Sequence, residues 1–192
     1  VALTTGFANT VLGSAALSAE DTGRYNTAIG AGALENQNND VDNYNTAVGY
    51  NAGNAVTTGI NNTLIGGLAG DVLTDADDNV AIGYAALSAD AKGDGSVAVG
   101  KFALANQNFT SVTSTHNTAI GYSAGAAITT GGVNTIVGSL AADALTTGVY
   151  NVAMGVNALG SETSGNDSTA IGQQALGNQN CQTDSHNTAV GY

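Results

Sequence analysis

One pattern of polar and apolar positions recurs along the chain. It is clearest at Asn117-Thr118-Ala119-Ile120-Gly121, and variants of this phrase end at Gly13, Gly30, Gly49, Gly66, Gly83, Gly100, Gly121, Gly138, Gly155, Gly172 and Gly191. The steps between these glycines are 17, 19, 17, 17, 17, 21, 17, 17, 17 and 19. A fixed short period is the signature of a repeat architecture, in which each unit covers its neighbour. With the Asn as position 1 and the Gly as position 5, position 1 is Asn or Ser and position 2 is Thr or Val. Position 4 is always a large aliphatic, such as Leu12, Ile29, Met154 or Val190. Position 8 is Ala in every unit that reaches it, from Ala16 to Ala175, and positions 14 and 15 are often Thr-Gly.

β-Branched residues at positions 2 and 4, bounded by glycine, predict a short strand. A strand of about five residues is unstable alone but stacks on copies of itself at ~4.8 Å. The Ala at position 8 predicts a second short strand or an extended return, with glycines at 5 and 15 supplying the turns. The fold class that follows is all-β: a two-sheet β-roll or β-solenoid with one 17-residue coil per repeat and about eleven coils. Paired helices do not fit, since helical repeats take ~20–45 residues.

Side chains alternate across a strand, so positions 2 and 4 share one face and positions 1, 3 and 5 the other. Position 3 is usually Ala, but Val11, Leu64 and Ile136 also occupy it, so both faces read as apolar. The expectation is that the position-4 aliphatics fill the roll. The position-3 column would then face a neighbouring chain in a lengthwise oligomer interface, or form a mildly apolar monomer surface. The Asn column (Asn45, Asn62, Asn79, Asn117, Asn134, Asn151) is expected to form a structural ladder of stacked amides.

A longer repeat lies above the first. Ala33-Leu34-Glu35-Asn36-Gln37-Asn38 returns as Ala103-Leu104-Ala105-Asn106-Gln107-Asn108 and as Ala175-Leu176-Gly177-Asn178-Gln179-Asn180. The chain therefore reads as a single solenoid segment, 1–192, with four-coil super-repeats starting near residues 1, 71 and 143. It is expected to be a piece of a longer repeat chain. All three oversized spacings fall just after the Asn-Gln-Asn string, which places an inserted loop on every fourth coil.

Composition narrows the function classes. Fifteen acidic residues against three basic ones give a formal net charge of −12. Three cations cannot replace a run of phosphate counterions, so nucleic-acid binding is excluded and an anionic membrane is disfavoured. No segment reads as a membrane span, so no membrane insertion is expected here. A single cysteine permits no internal disulfide. No nucleophile elbow, phosphate loop or zinc-helix motif is present, so the chain is expected not to be an enzyme and to carry no cofactor.

Loops on a rigid scaffold are the usual carriers of recognition. The candidate recognition residues are Asn38, Asp40, Tyr44, Asn108, Phe109, Thr113, His116, Asn180 and His186, with a cell-surface glycan or protein as the partner. Asp71, Asp75, Asp77 and Asp78, with Asp40 and Asp42, supply hard oxygen atoms suited to Ca²⁺. Their spacing does not match a per-turn calcium repeat, and solvated turns account for them as well. The Thr column at position 2 raises one further alternative, an ice-binding solenoid, but the expected inward orientation of that face argues against it.

The phrases Asn45-Thr46-Ala47-Val48-Gly49-Tyr50, Asn117-Thr118-Ala119-Ile120-Gly121-Tyr122 and Asn187-Thr188-Ala189-Val190-Gly191-Tyr192 resemble the NTAVGYQAL-type repeats of phage tail fibres and large bacterial surface proteins. In those families the repeats often precede an endosialidase-type chaperone domain. Ser96-Val97-Ala98-Val99-Gly100 is similar to the head repeats of YadA-like trimeric autotransporter adhesins, whose unit is shorter than the one here. The resemblance implies a left-handed, trimeric β-roll on an extracellular fibre, at the virion or bacterial cell surface. The expected function is a structural and adhesive fibre segment. A self-assembling extracellular filament subunit is the alternative.

Overall fold

The computed structural model describes residues 5–181 and 185–192; the expected super-repeat start at Val1 lies outside them. The described chain is all-β and forms a β-solenoid. Eleven three-residue strands stack in parallel into one sheet. They are β1 (Thr10–Leu12), β2 (Thr27–Ile29), β3 (Thr46–Val48), β4 (Thr63–Ile65), β5 (Val80–Ile82), β7 (Val97–Val99), β9 (Thr118–Ile120), β10 (Thr135–Val137), β11 (Val152–Met154), β12 (Thr169–Ile171) and β13 (Thr188–Val190). Two shorter strands, β6 (Gly93–Asp94) and β8 (Thr113–Ser114), pair beside it. Register is position on position throughout: Thr46 opposes Thr63, Ala47 opposes Leu64, and Val48 opposes Ile65.

A second sheet does not form around position 8. That part of each rung is a turn, with residues 14–17 in the first copy. Its backbone still bonds from rung to rung, as in Leu17 N–H to Ala33 O (2.9 Å) and Gly32 N–H to Ser14 O (2.9 Å). The turn needs left-handed backbone at positions 7 and 9, and non-glycine residues supply most of it, including Leu17, Leu34, Leu87 and Leu104. A left-handed leucine is disfavoured by roughly 1–2 kcal/mol. Complete burial of each of these side chains offsets that cost.

Position 5 is where the rungs touch. Its glycines take φ between 123° and 142°. A Cβ on Gly66 would stand 2.6 Å from the carbonyl oxygen of Gly83 in the next rung, and the same conflict recurs from Gly13 to Gly172. The glycine near position 15 has a different role from the expected one. Gly59, Gly131 and Gly148 do not have positive φ; they stand where a Cβ would strike the next rung's backbone.

The two faces of the sheet are opposite to the expectation. Ala28, Ala47, Leu64, Ala81, Ala98, Ala119, Ile136, Ala153 and Ala170, all at position 3, are fully buried. Positions 2 and 4 face outward, with Ile65 37%, Ile120 41% and Met154 41% exposed. The reason is the width of the roll: one turn of three-residue strand leaves room for Ala against Ala, and not for a rank of isoleucines.

Positions 3, 9 and 12 share the interior volume. In two rungs of each four, a leucine fills position 9 (Leu87, Leu104) and position 12 is polar (Asp90, Gln107). In the other two, position 9 shrinks to Gly125 or Ala142 and position 12 becomes Ile128 or Leu145. One of these two also enlarges position 3, to Ile136. A Cβ on Gly125 would lie 3.0 Å from both Ile128 and Ile136 side chains. This exchange of volume gives the four-coil super-repeat a packing cause.

Gly83→Ala is expected to destabilise the chain by about 2–3 kcal/mol, since both the left-handed φ and the contact with Gly100 resist a methyl. Denaturant unfolding measures it. A change no larger than about 0.5 kcal/mol, as for a neutral surface substitution, would contradict the stacking geometry.

Candidate recognition loops and the carboxylates that anchor them

The Asn column lies inside the roll and closes most of the rungs; Ser96 and Ser168 take its place in two, and the Asn26 amide nitrogen has no partner. Asn62 Nδ2 donates to Ala76 O (2.8 Å), further along the same rung. Its Oδ1 accepts the backbone amide of Asn79 in the next (3.0 Å). Asn45, Asn79, Asn134 and Asn151 repeat both bonds. Asn117 does so toward Gly131 and Asn134. The ladder is therefore mainly amide to backbone. Among the described residues only Asn134 Nδ2 to Asn117 Oδ1 (3.2 Å) links two side-chain amides directly within the column.

Each inserted loop sits on a buried carboxylate that the sequence reading passed over. Glu20, Asp90 and Glu162 occupy position 12 of the rung before each loop, and all three are fully buried. The Glu162 Oε1 atom accepts the consecutive amides of Thr163, Ser164 and Gly165 (3.1, 3.2 and 2.8 Å). Its Oε2 accepts Gln179 Nε2 (3.2 Å) and the amide of Cys181, at the start of the third loop (3.0 Å). Glu20 repeats the scheme with Asp21, Thr22 and Gly23, then Gln37, Asn43 and the loop amide of Asn39. Asp90 takes Lys92, Gly93 and Gln107, and the loop amide of Phe109 (3.1 Å). Successive amides curled around an oxygen form an anion-binding nest, which compensates a buried charge without a cation.

Burial alone would raise the Glu162 pKa, but the amides of Cys181 and Gly165, with Gln179 and Ser164, outweigh it and hold the carboxyl below its ordinary value. Asp71 and Asp143 shift the other way, upward, because burial dominates. The signal available in the sequence was a shared phase. Each of the three acids stands once per super-repeat, with Gln37, Gln107 or Gln179 at the same position of the following rung.

The first loop, 38–44, carries Asn38, Asp40 and Tyr44. Asp42 pairs with Arg24 (2.5 Å), Asp40 bonds Thr22, and the Tyr44 ring stacks on Tyr25 with centroids 5.0 Å apart. Phe7 and the Arg24 guanidinium complete this exposed aromatic corner. In the second, Asn108 and Phe109 lead out of the rung, and Thr113 and Ser114 re-enter it as β8. In the third, Asn180 accepts from Thr163 (3.0 Å) and His186 faces Asp167 (3.6 Å); residues 182–184 lie outside the described chain. Tyr44, His116 and His186 share one corner position with left-handed backbone. The three loops are four rungs apart, roughly 19 Å by the strand spacing, so their candidates form three separate surfaces and not one site.

The proposed calcium ligands are dispersed among ladder bonds. Asp75 binds Thr74 and Lys92, Asp77 accepts the Ile60 amide, and Asp78 accepts Asn61. Among the described residues no group of three or more His, Cys, Asp or Glu converges as a metal site. Among them, too, no helix is long and apolar enough to cross a membrane. No protein-family model, curated protein or solved structure matches the chain.

Glu162→Ala is expected to lower stability by on the order of 3 kcal/mol, since it orphans buried amides. A carboxyl with a depressed folded-state pKa stabilises the fold above its unfolded value, near 4.5, and that contribution is lost as pH falls through the folded one. Protease cleavage at the third loop should therefore rise on acidification below about pH 4.5 in the wild type, and Glu162→Gln should flatten that rise. An unchanged pH profile in Glu162→Gln would remove Glu162 as the anchor.

Proposed function

We propose that this chain is a structural and adhesive segment of an extracellular fibre, non-catalytic, which associates with copies of itself along the outer face of its sheet. The observation that carries the reading is that face. Position 4 presents a large aliphatic on all eleven strands, a stripe roughly 50 Å long by the strand spacing. Tyr50, Tyr84 and Tyr122 flank it at position 6, each half-exposed or more. A continuous apolar stripe edged by tyrosines is the composition of an association surface. Every rung presents the same pair of positions, so a second copy of the chain offers a matching stripe of the same length. Trimeric state, left-handed coiling and a setting on a virion or bacterial surface rest on the sequence resemblance. The loops, held on buried carboxylates at regular intervals, are the surfaces this reading gives to a glycan or protein receptor.

A second reading, ice binding, gains from the same orientation. Thr10, Thr27, Thr46, Thr63, Thr118, Thr135, Thr169 and Thr188 stand at position 2 of the outward face, and Val80, Val97 and Val152 interrupt them. The inward orientation that argued against it does not hold.

Sedimentation equilibrium separates the two. The fibre reading predicts a species of three times 18.8 kDa that Ile65→Asp with Ile120→Asp reduces to 18.8 kDa. A wild-type chain that stays at 18.8 kDa at all concentrations, with thermal hysteresis in the same sample, would favour ice.

A further inference from the structure

We propose that a polar cleft on the turn side of the third super-repeat binds a neutral monosaccharide unit. This rests on the adhesive reading and deepens it by naming a ligand class, and it moves one binding site away from the loops. The cleft measures about 330 Å³, and Asp143, Asn157, Gly160, Ser161, Gln174 and Gly177 line it from three successive rungs. That volume lies at the lower end of pockets that hold small organic ligands, about 300–1,000 Å³.

The side chains of Asn157, Ser161 and Gln174 make no hydrogen bond within the described chain, and Asp143 receives none beyond its own amide. With Asn178, which also lines the cleft, three carboxamides, a hydroxyl and a carboxylate offer both donors and acceptors, which is the complement of vicinal sugar hydroxyls. Asp143 within the cleft and the net charge of −12 disfavour an anionic ligand.

The chain contains its own control. In the second super-repeat Asp71 matches Asp143, but Ala85, Ser88, Phe102 and Ala105 stand where the third has Asn157, Gly160, Gln174 and Gly177. Neither Gly160 nor Gly177 has the positive φ that would demand glycine. Their amides close the turn instead, Gly160 N–H on Asn157 O (3.2 Å) and Gly177 N–H on Gln174 O (2.8 Å), bonds that Ser88 and Ala105 do not make, so the backbone of the cleft differs there as well.

Ligand-observed saturation-transfer NMR on the intact chain, with glucose, galactose and N-acetylglucosamine as separate probes, tests the site. At least one sugar should receive saturation. The combination Asn157→Ala, Gly160→Ser and Gln174→Phe, which copies the second super-repeat, should lower it about tenfold, the worth of one or two hydrogen bonds. Asp71→Asn should leave it unchanged. If the triple variant loses its native melting transition, Asn157→Ala alone carries the comparison, since Ala85 already occupies that place with the same left-handed φ. No transfer to any of the three sugars, or transfer that survives these substitutions, would overturn the proposal. Sedimentation does not depend on the cleft, so this failure is distinct from failure of the fibre reading.

Discussion

Close approach of one backbone to the next governs this molecule. At position 5 the rungs meet glycine on glycine, with the next carbonyl where a side chain would begin. That contact fixes the register, and the register fixes everything stacked above and below it. Left-handed residues at the corners and turns, costly individually, persist because each is held between rungs whose backbone takes the same left-handed conformation at that position. The Asn column works under the same constraint: its carboxamide fits between a carbonyl of its own rung and an amide of the next.

A narrow roll has little interior, and the four-rung super-repeat is the way its volume is shared. Two rungs place bulk at position 12, and one of them at position 3 as well. The next two place it at position 9 and leave position 12 to a carboxylate and a glutamine. The buried acid lies beside the loop it anchors because the loop supplies one of its donors. In this way the core and the candidate recognition surface are one construction. Losing the acid would leave several amides without an acceptor, whereas a loop tip such as Val41 or Val112 is exposed and bears little on the core.

Much of this was legible in the sequence. The eleven phrases located all eleven strands of the main sheet, because glycine spacing and β-branched residues report register directly. The orientation of those strands was not legible. Ala119 and Ile120 are both apolar, and only the width of the roll, a property of the whole coil, decides that the smaller residue goes inside. The second sheet predicted around Ala16 and Ala33 is a turn, since left-handed leucines beside them carry no sequence mark of their own. Asp40, Tyr44, His116 and His186 were placed on loops by the broken period, and the structure distributes them over separate loops. Glu20, Asp90 and Glu162 were hidden among fifteen acidic residues, although their common phase distinguished them.

The inversion of the two strand faces carries the most weight, since it puts the aliphatic stripe on the surface and the alanines in the core. With Cys181 replaced by serine, single cysteines at positions 63, 64 and 65 can be compared by their rate of thiol labelling. Cysteine in place of the buried Leu64 should label slowest at every protein concentration. Cysteine in place of Thr63 or Ile65 should label quickly, and faster still on dilution if another copy covers that face. Labelling of position 64 as fast as its two neighbours, or its exposure on dilution, would contradict the account.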